Sequence, residues 1–163
     1  TGVNWDIQMV PVRIQENNST RDINNAAAGL DYVVAQGATI STNSWGDNTF
    51  NQEMFDAIDR ARANNHLFVA AAGNQAADTD NEPFYPASYD LDNIVAVAAA
   101  TAENQLAAFS NFGQSSVDLA APGENMFGIT SETTYGTGSG TSSATPPTAP
   151  CSKTPGSPTP APC

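Results

Sequence analysis

Apolar positions along this chain follow two rhythms, a helical stripe and a short unbroken run, and the two alternate. Gln8 to Ile14 contains Val10-Pro11-Val12-Arg13-Ile14, rich in β-branched residues, and reads as a buried strand. From Asp22 to Gln36, Ile23, Ala26 or Ala27, Leu30, Val33 and Val34 share one stripe at helical spacing, with Gly37 as the stop. Ala38 to Asn43 predicts a second strand that runs into the turn Ser44-Trp45-Gly46-Asp47. A second helix is predicted over about Asn51 to Asn64, with Met54, Phe55, Ile58 and Ala61 facing inward. Leu67 to Ala71 and Ile94 to Ala99 are apolar strands joined by the polar loop Gln75 to Asp92, and Val117 to Ala121 is a shorter strand stopped by Pro122-Gly123. Strands that alternate with helices and are apolar on both faces predict an α/β fold, a parallel twisted sheet with helices on both faces. Right-handed crossovers follow from that arrangement.

The pattern stops at Pro146. Seven prolines in the last eighteen residues, mixed with Ser, Thr and Gly, predict an irregular tail over 146–163 with local polyproline II character. The body is then 1–145. Composition changes this picture little: 163 residues suffice for one domain with a core. A net charge of -12, from five Lys and Arg against seventeen Asp and Glu, argues against nucleic acid or anionic membrane as a partner. No apolar run approaches the roughly 18 residues of a membrane span. Thr1 to Trp5 lacks the basic and apolar regions of a signal peptide. Cys151 and Cys163 both fall in the tail, where they either close a small disulfide loop or are incidental.

Candidate chemistry sits in two segments. Ser142, in Gly140-Thr141-Ser142-Ser143-Ala144-Thr145-Pro146, follows two small residues where a loop hands over to a helix. A serine there has backbone amides and the positive end of the helix dipole beside it, so its oxygen can attack while those amides receive charge. Asn74 closes the strand Ala70-Ala71-Ala72-Gly73, with Gly73 allowing a sharp turn. Its side-chain amide is a candidate oxyanion donor; the alternative is an Asn that stabilises its own turn.

Read together, these segments resemble the nucleophile and oxyanion-hole segments of the subtilisin-like serine peptidases, family S8. Ser44-Trp45-Gly46 is similar to that family's substrate-binding edge, where an extended peptide adds by main-chain bonds. Across the pocket the resemblance places Ala71, Ala72 and Gly73, small residues that leave room and so imply a large apolar or aromatic P1 side chain. Trp45 as an ordinary core aromatic is the competing view. Phe84-Tyr85-Pro86-Ala87, Asn93 to Val97, Leu106 to Gly113 and Val117 to Gly123 also match in the family's order, and Gly2-Val3-Asn4-Trp5 resembles the segment after its histidine helix.

The resemblance implies a secreted, monomeric serine endopeptidase acting on peptides or proteins through an acyl-enzyme on Ser142, with Asn74 as oxyanion donor. It implies no cofactor for the chemistry and a structural calcium in the parent protein. A weaker cation site of backbone carbonyls near Ala87 and Tyr89 is a further implication, although Asp90 to Asp92 departs from the family's spacing. The base and acid of a Ser-His-Asp mechanism are missing. His66, the single histidine, stands in Asn64-Asn65-His66-Leu67 outside the family's histidine motif and reads as surface or junction packing. No Asp has the family's Asp-Ser-Gly or Asp-Thr-Gly context, so both residues are expected upstream of Thr1, which makes this the C-terminal part of a catalytic domain, incomplete at both ends. After Pro146 the family continues with an apolar helix that this chain lacks, a departure that suggests a shifted reading frame. Two alternatives remain: a non-catalytic descendant that binds peptides or inhibits, and an unrelated doubly wound domain.

Overall fold

The computed structural model describes residues 8–14, 23–131 and 133–149. Four strands form one parallel sheet in the order β1 (Ile40–Asn43), β2 (Leu67–Ala71), β3 (Ile94–Ala100), β4 (Leu119–Pro122). Helix α1 (Ile23–Ala35) precedes β1, α2 (Gln52–Ala63) connects β1 to β2, and α3 (Thr141–Thr148) follows a hairpin of β5 (Met126–Ser131) and β6 (Thr134–Gly138).

Local signals set these boundaries. Gly37, at φ +85°, closes α1: its N–H donates to the Val34 carbonyl at 2.9 Å and Ala38 N–H to the Val33 carbonyl at 3.0 Å. That is the Schellman pattern, which a Cβ at position 37 would strain. Asn51 caps α2, its Oδ1 accepting Met54 N–H at 2.8 Å. Glu53 in the first turn and Arg60 and Arg62 in the last complement the dipole.

Period-two alternation then sorts the sheet's side chains. Phe68, Ala70, Ile94 and Ala96 pack with Ala27, Leu30, Met54 and Ile58 from α1 and α2 on one face. Val69, Val97 and Ala99 pack with Ala144 of α3 on the other. Helices therefore cover both faces of β2 and β3, as the apolar runs predict. Coverage thins toward β4, where Leu119 is 39% exposed.

Three local expectations are corrected. Residues 8–14 are not a strand of the sheet, and Met9, Val10 and Val12 are exposed. The stretch instead lies along α1, where Val12 touches Gly29 and Ile14 packs on the core, and Pro11 lacks the N–H a ladder needs. The β5–β6 hairpin went unread because alternation is poor and its strands include Gly128, Gly136 and Gly138; its Phe127, Ile129 and Tyr135 are exposed. Finally, α3 continues through Pro146 and Pro147 to Thr148, so the expected break at 146 is misplaced. The helix survives in part because the Ser142 carbonyl, which Pro146 leaves without its helical N–H, accepts Ser44 Oγ at 3.0 Å, while Thr145 Oγ1 and Thr148 Oγ1 add bonds to the Thr141 and Ala144 carbonyls at 2.7 Å and 3.1 Å. Residues 150–163, with both cysteines, and the Gly2 to Trp5 match lie outside the described residues.

His66 is buried, 1% exposed, at the α2–β2 junction, with Nδ1 2.8 Å from the Ala38 carbonyl and Nε2 without a partner among the described residues. Burial lowers its pKa against the opposing pull of the Ala38 bond. The unfolded chain therefore takes the proton first as pH falls. Stability from neutral His66 is present above its ordinary value of 6.5 and is lost as pH drops from there through its lower folded value. Chemical denaturation from pH 8 to 5 is expected to show a decline setting in below about 6.5, of at most ~1.4 kcal/mol per pH unit for one proton. A flat profile across that range would contradict it.

Candidate active site

Because the sheet is parallel, the segments that leave β1 and β2 emerge at one edge, the edge where ligands bind in open α/β sheets. Ser44-Trp45-Gly46 leaves β1 there and Ala72-Gly73-Asn74 leaves β2. Helix α3, packed across β1 to β4, brings its first turn to the same edge.

Thr141 locks these pieces together. It is fully buried, its N–H donates to Asn74 Oδ1 at 2.8 Å, and its Oγ1 donates to the same oxygen at 3.1 Å. Gly73 N–H in turn donates to Thr141 Oγ1 at 3.2 Å. A backbone N–H can only donate, so the atom facing Thr141 is the Asn74 oxygen, and Nδ2 is left as a donor free for another acceptor. Asn74 itself is exposed.

Ser142, next in the chain, is also exposed. Its Oγ donates to the Ser44 carbonyl at 3.1 Å, and Ser44 Oγ donates to the Ser142 carbonyl at 3.0 Å. The second bond has a cause in the sequence: Pro146, four residues on, has no N–H for the Ser142 carbonyl. As the second residue of α3, Ser142 also carries an N–H with no intrahelical acceptor. Asn74 Nδ2 and the Ser142 N–H are thus two donors left over in segments that the Thr141 bonds tie together. Close approach of α3 depends on Gly123, where a Cβ would lie 2.8 Å from both Ala99 Cβ and the Gly140 carbonyl oxygen.

Ala71, Ala72 and Gly73 are buried, and Gly46 rests on another side chain: a Cβ there would lie 2.5 Å from Phe84 Cε1 and 2.9 Å from Cζ. Phe84 is 7% exposed yet belongs to neither core cluster. Trp45 is half-buried and packs on the core of α1 and α2, so the reading of it as a core aromatic holds in part. The sequence analysis did not single out Thr141, Phe84 or Asn111 for function. Thr141 carried a signal in its position beside Ser142, and the other two were used only as register matches.

His66 precedes β2 and Asn74 follows it. Five strand residues at about 3.3 Å each separate them by roughly 16 Å. His66 is therefore not the base for Ser142. At the expected cation site, the Tyr89 carbonyl already accepts Leu91 N–H at 2.9 Å within its own turn.

Comparison with known proteins agrees with this architecture. The family model of the subtilase family, Peptidase_S8, matches residues 1–151. The chain belongs to the subtilase family. It is 36% identical over 146 residues to the minor extracellular protease Epr of Bacillus subtilis (strain 168), covering 89% of this chain and 22% of that protein. It is 35% identical over 120 residues to the major intracellular serine protease of the same organism, covering 72% and 37%. Among solved structures, the prenylagaramide maturation protease PagA matches at a TM-score of 0.74 and 26% identity, over 83% of this chain and 50% of that one. This subtilase chain thus spans half or less of the length of these relatives, whose names include both an extracellular and an intracellular protease. Among the described residues no helix is long and apolar enough to cross a membrane.

Proposed function

We propose that this chain is the nucleophile-bearing part of a subtilisin-like endopeptidase domain, in which Ser142 forms the acyl-enzyme and Asn74 Nδ2 with Ser142 N–H receives the oxyanion. The observation that supports this reading is the Thr141 lock, which ties the Asn74 side chain to the residue preceding Ser142 at the carboxyl edge of the sheet. Attack by Oγ forms a bond to the scissile carbonyl carbon, its proton passes to a base and then to the leaving amine, and water releases the acyl group. The base and its orienting acid come from residues beyond these 163. Here the hydroxyl donates to the Ser44 carbonyl, which is no base. Peptide or protein substrates, an extracellular location and a monomer are parts of the same proposal; calcium, if held by the parent protein, stands outside the chemistry.

The test is peptide hydrolysis by the full-length protein and by this chain alone. Turnover by the former that vanishes in Ser142→Ala, with none by the latter, supports the reading. Peptide binding without hydrolysis in the full-length protein would favour the non-catalytic module instead.

The Phe84 ring against Gly46 favours a smaller P1 side chain than the resemblance implies. It occupies space beside the substrate edge, so the full-length enzyme is expected to prefer Ala over Phe at P1 in succinyl-Ala-Ala-Pro-X p-nitroanilides. Phe84→Gly is expected to move the Phe-to-Ala ratio of kcat/KM upward by about 10- to 200-fold, the range for pocket volume. An unchanged ratio would show that the ring lies outside the pocket.

A further inference from the structure

Asn111 follows β3 by a long loop and has no contact with Ser142 among the described hydrogen bonds, yet it is 1% exposed and every polar atom of its side chain is used twice. Its Oδ1 accepts Gln75 N–H at 2.8 Å and Ala77 N–H at 3.1 Å. Its Nδ2 donates to the Ala72 carbonyl at 2.8 Å and to Gln75 Oε1 at 2.9 Å. Its own N–H donates to the Gly73 carbonyl at 2.9 Å. Gln75 Oε1 also accepts Asn74 N–H at 3.0 Å. The four side-chain bonds of Asn111 and the bond from its N–H therefore all end on residues 72–77, the turn that carries Asn74, while its carbonyl accepts Ser110 Oγ at 2.9 Å.

That turn needs holding. Gly73 sits at φ +106° and Ala76, which is not a glycine, at φ +52°, a left-handed conformation that L-residues other than glycine rarely adopt. A segment held in such a conformation persists only when its surroundings over-determine it. Thr141 fixes one end of the Asn74 side chain; something must fix the backbone it hangs from. Asp80 performs a comparable service for another turn, accepting the N–H groups of Gln114 and Ser116, but that turn holds no candidate site residue.

We propose that Asn111 is the positioning residue of the oxyanion loop: it clamps residues 72–77, with Gln75 Oε1 as the bridge, so that Asn74 Nδ2 points at the carbonyl attacked by Ser142. The proposal rests on the reading of this chain as part of a peptidase. Asn111 touches no reacting atom; it acts through Asn74.

The experiment uses the full-length protein with the variants Asn111→Asp, Asn111→Asp with Asn74→Ala, and Gln75→Ala. Asn111→Asp keeps both acceptor bonds, loses both donors and sets a carboxylate against the Ala72 carbonyl. It is expected to lower kcat by about 10²-fold, the scale of a site misplaced by about 1 Å, with KM within about threefold. In the Asn74→Ala background the same change is expected to cost less than about threefold, because a shared route makes the effects non-additive. Gln75 is exposed, so Gln75→Ala is expected to fold normally and to lower kcat about fivefold by removing the bridge alone, a small fraction of a donor's worth. Hydrogen exchange read at residues 73–77 should show protection lost there and kept in β2 and β3. Equal losses in both backgrounds, a rise in KM with kcat unchanged, or unchanged exchange at 73–77 would each overturn the clamp. A wild-type protein that cleaves no peptide would overturn the peptidase reading, while the exchange result would still decide whether Asn111 holds the loop.

Discussion

Replacing Asn74 with alanine in the full-length protein is expected to lower kcat by about 10²- to 10³-fold while leaving KM nearly unchanged, the scale known for loss of the corresponding donor in subtilisin. The expectation rests on which contacts the side chain makes. Asn74 Oδ1 is taken by Thr141 N–H and Oγ1, whereas Nδ2 has no hydrogen bond among the described residues, so the ground state loses little binding and the transition state loses a charge-assisted bond. A donor that strengthens only as charge develops changes kcat and kcat/KM together. The variant also orphans Thr141 N–H, which lies in the first turn of α3. Asn74→Asp separates the two effects: it restores the acceptor for Thr141 but removes the donor, and it places negative charge where the oxyanion forms. Its kcat is expected to be as low as that of Asn74→Ala. Recovery of activity in Asn74→Asp would mean that Asn74 is a structural turn residue after all.

Gly73→Ala is expected to be the most damaging single methyl in the molecule. At φ +106° the change carries a backbone penalty of about 1–2 kcal/mol by itself. The added Cβ would also overlap Asn111 Nδ2 and sit 2.7 Å from Gln75 Oε1, so the buried bond from Nδ2 to the Ala72 carbonyl must shift. Leaving such a buried group unsatisfied costs about 1–3 kcal/mol more. The sum, about 2–5 kcal/mol, is a large part of the stability of a small domain. Urea denaturation is expected to show this loss, together with loss of peptide hydrolysis. Gly37→Ala is the control: it has φ +85° but nothing within 4 Å of the added Cβ, and is expected to lose only the backbone part, with activity kept.

What could be read from the residues depended on how local each cause is. The helix over Ile23–Ala35 and the strands Leu67–Ala71 and Ile94–Ala100 were legible because their apolar spacing and stops lie within the segment itself. Residues 8–14 look like a strand by composition, yet pairing is a property of the neighbouring strand, and none takes them up. The continuation of α3 through two prolines was illegible for a similar reason. It depends on Ser44, about a hundred residues away, whose hydroxyl serves the carbonyl that Pro146 leaves without an N–H. In the site, Ser142 and Asn74 stood out because their motifs are short and ordered along the chain. Phe84 and Asn111 did not. Their roles come from packing against Gly46 and Gly73, which no periodicity encodes.

The central claim is that the Ser142 hydroxyl and the Asn74 carboxamide serve one carbonyl, and the most direct test is a crystal structure of the full-length protein after reaction with a fluorophosphonate. The account predicts a covalent Ser142 Oγ–phosphorus bond with the phosphoryl oxygen about 2.7–3.1 Å from Asn74 Nδ2. Label on another residue, or a phosphoryl oxygen turned away from an Asn74 beyond hydrogen-bond reach, would contradict it.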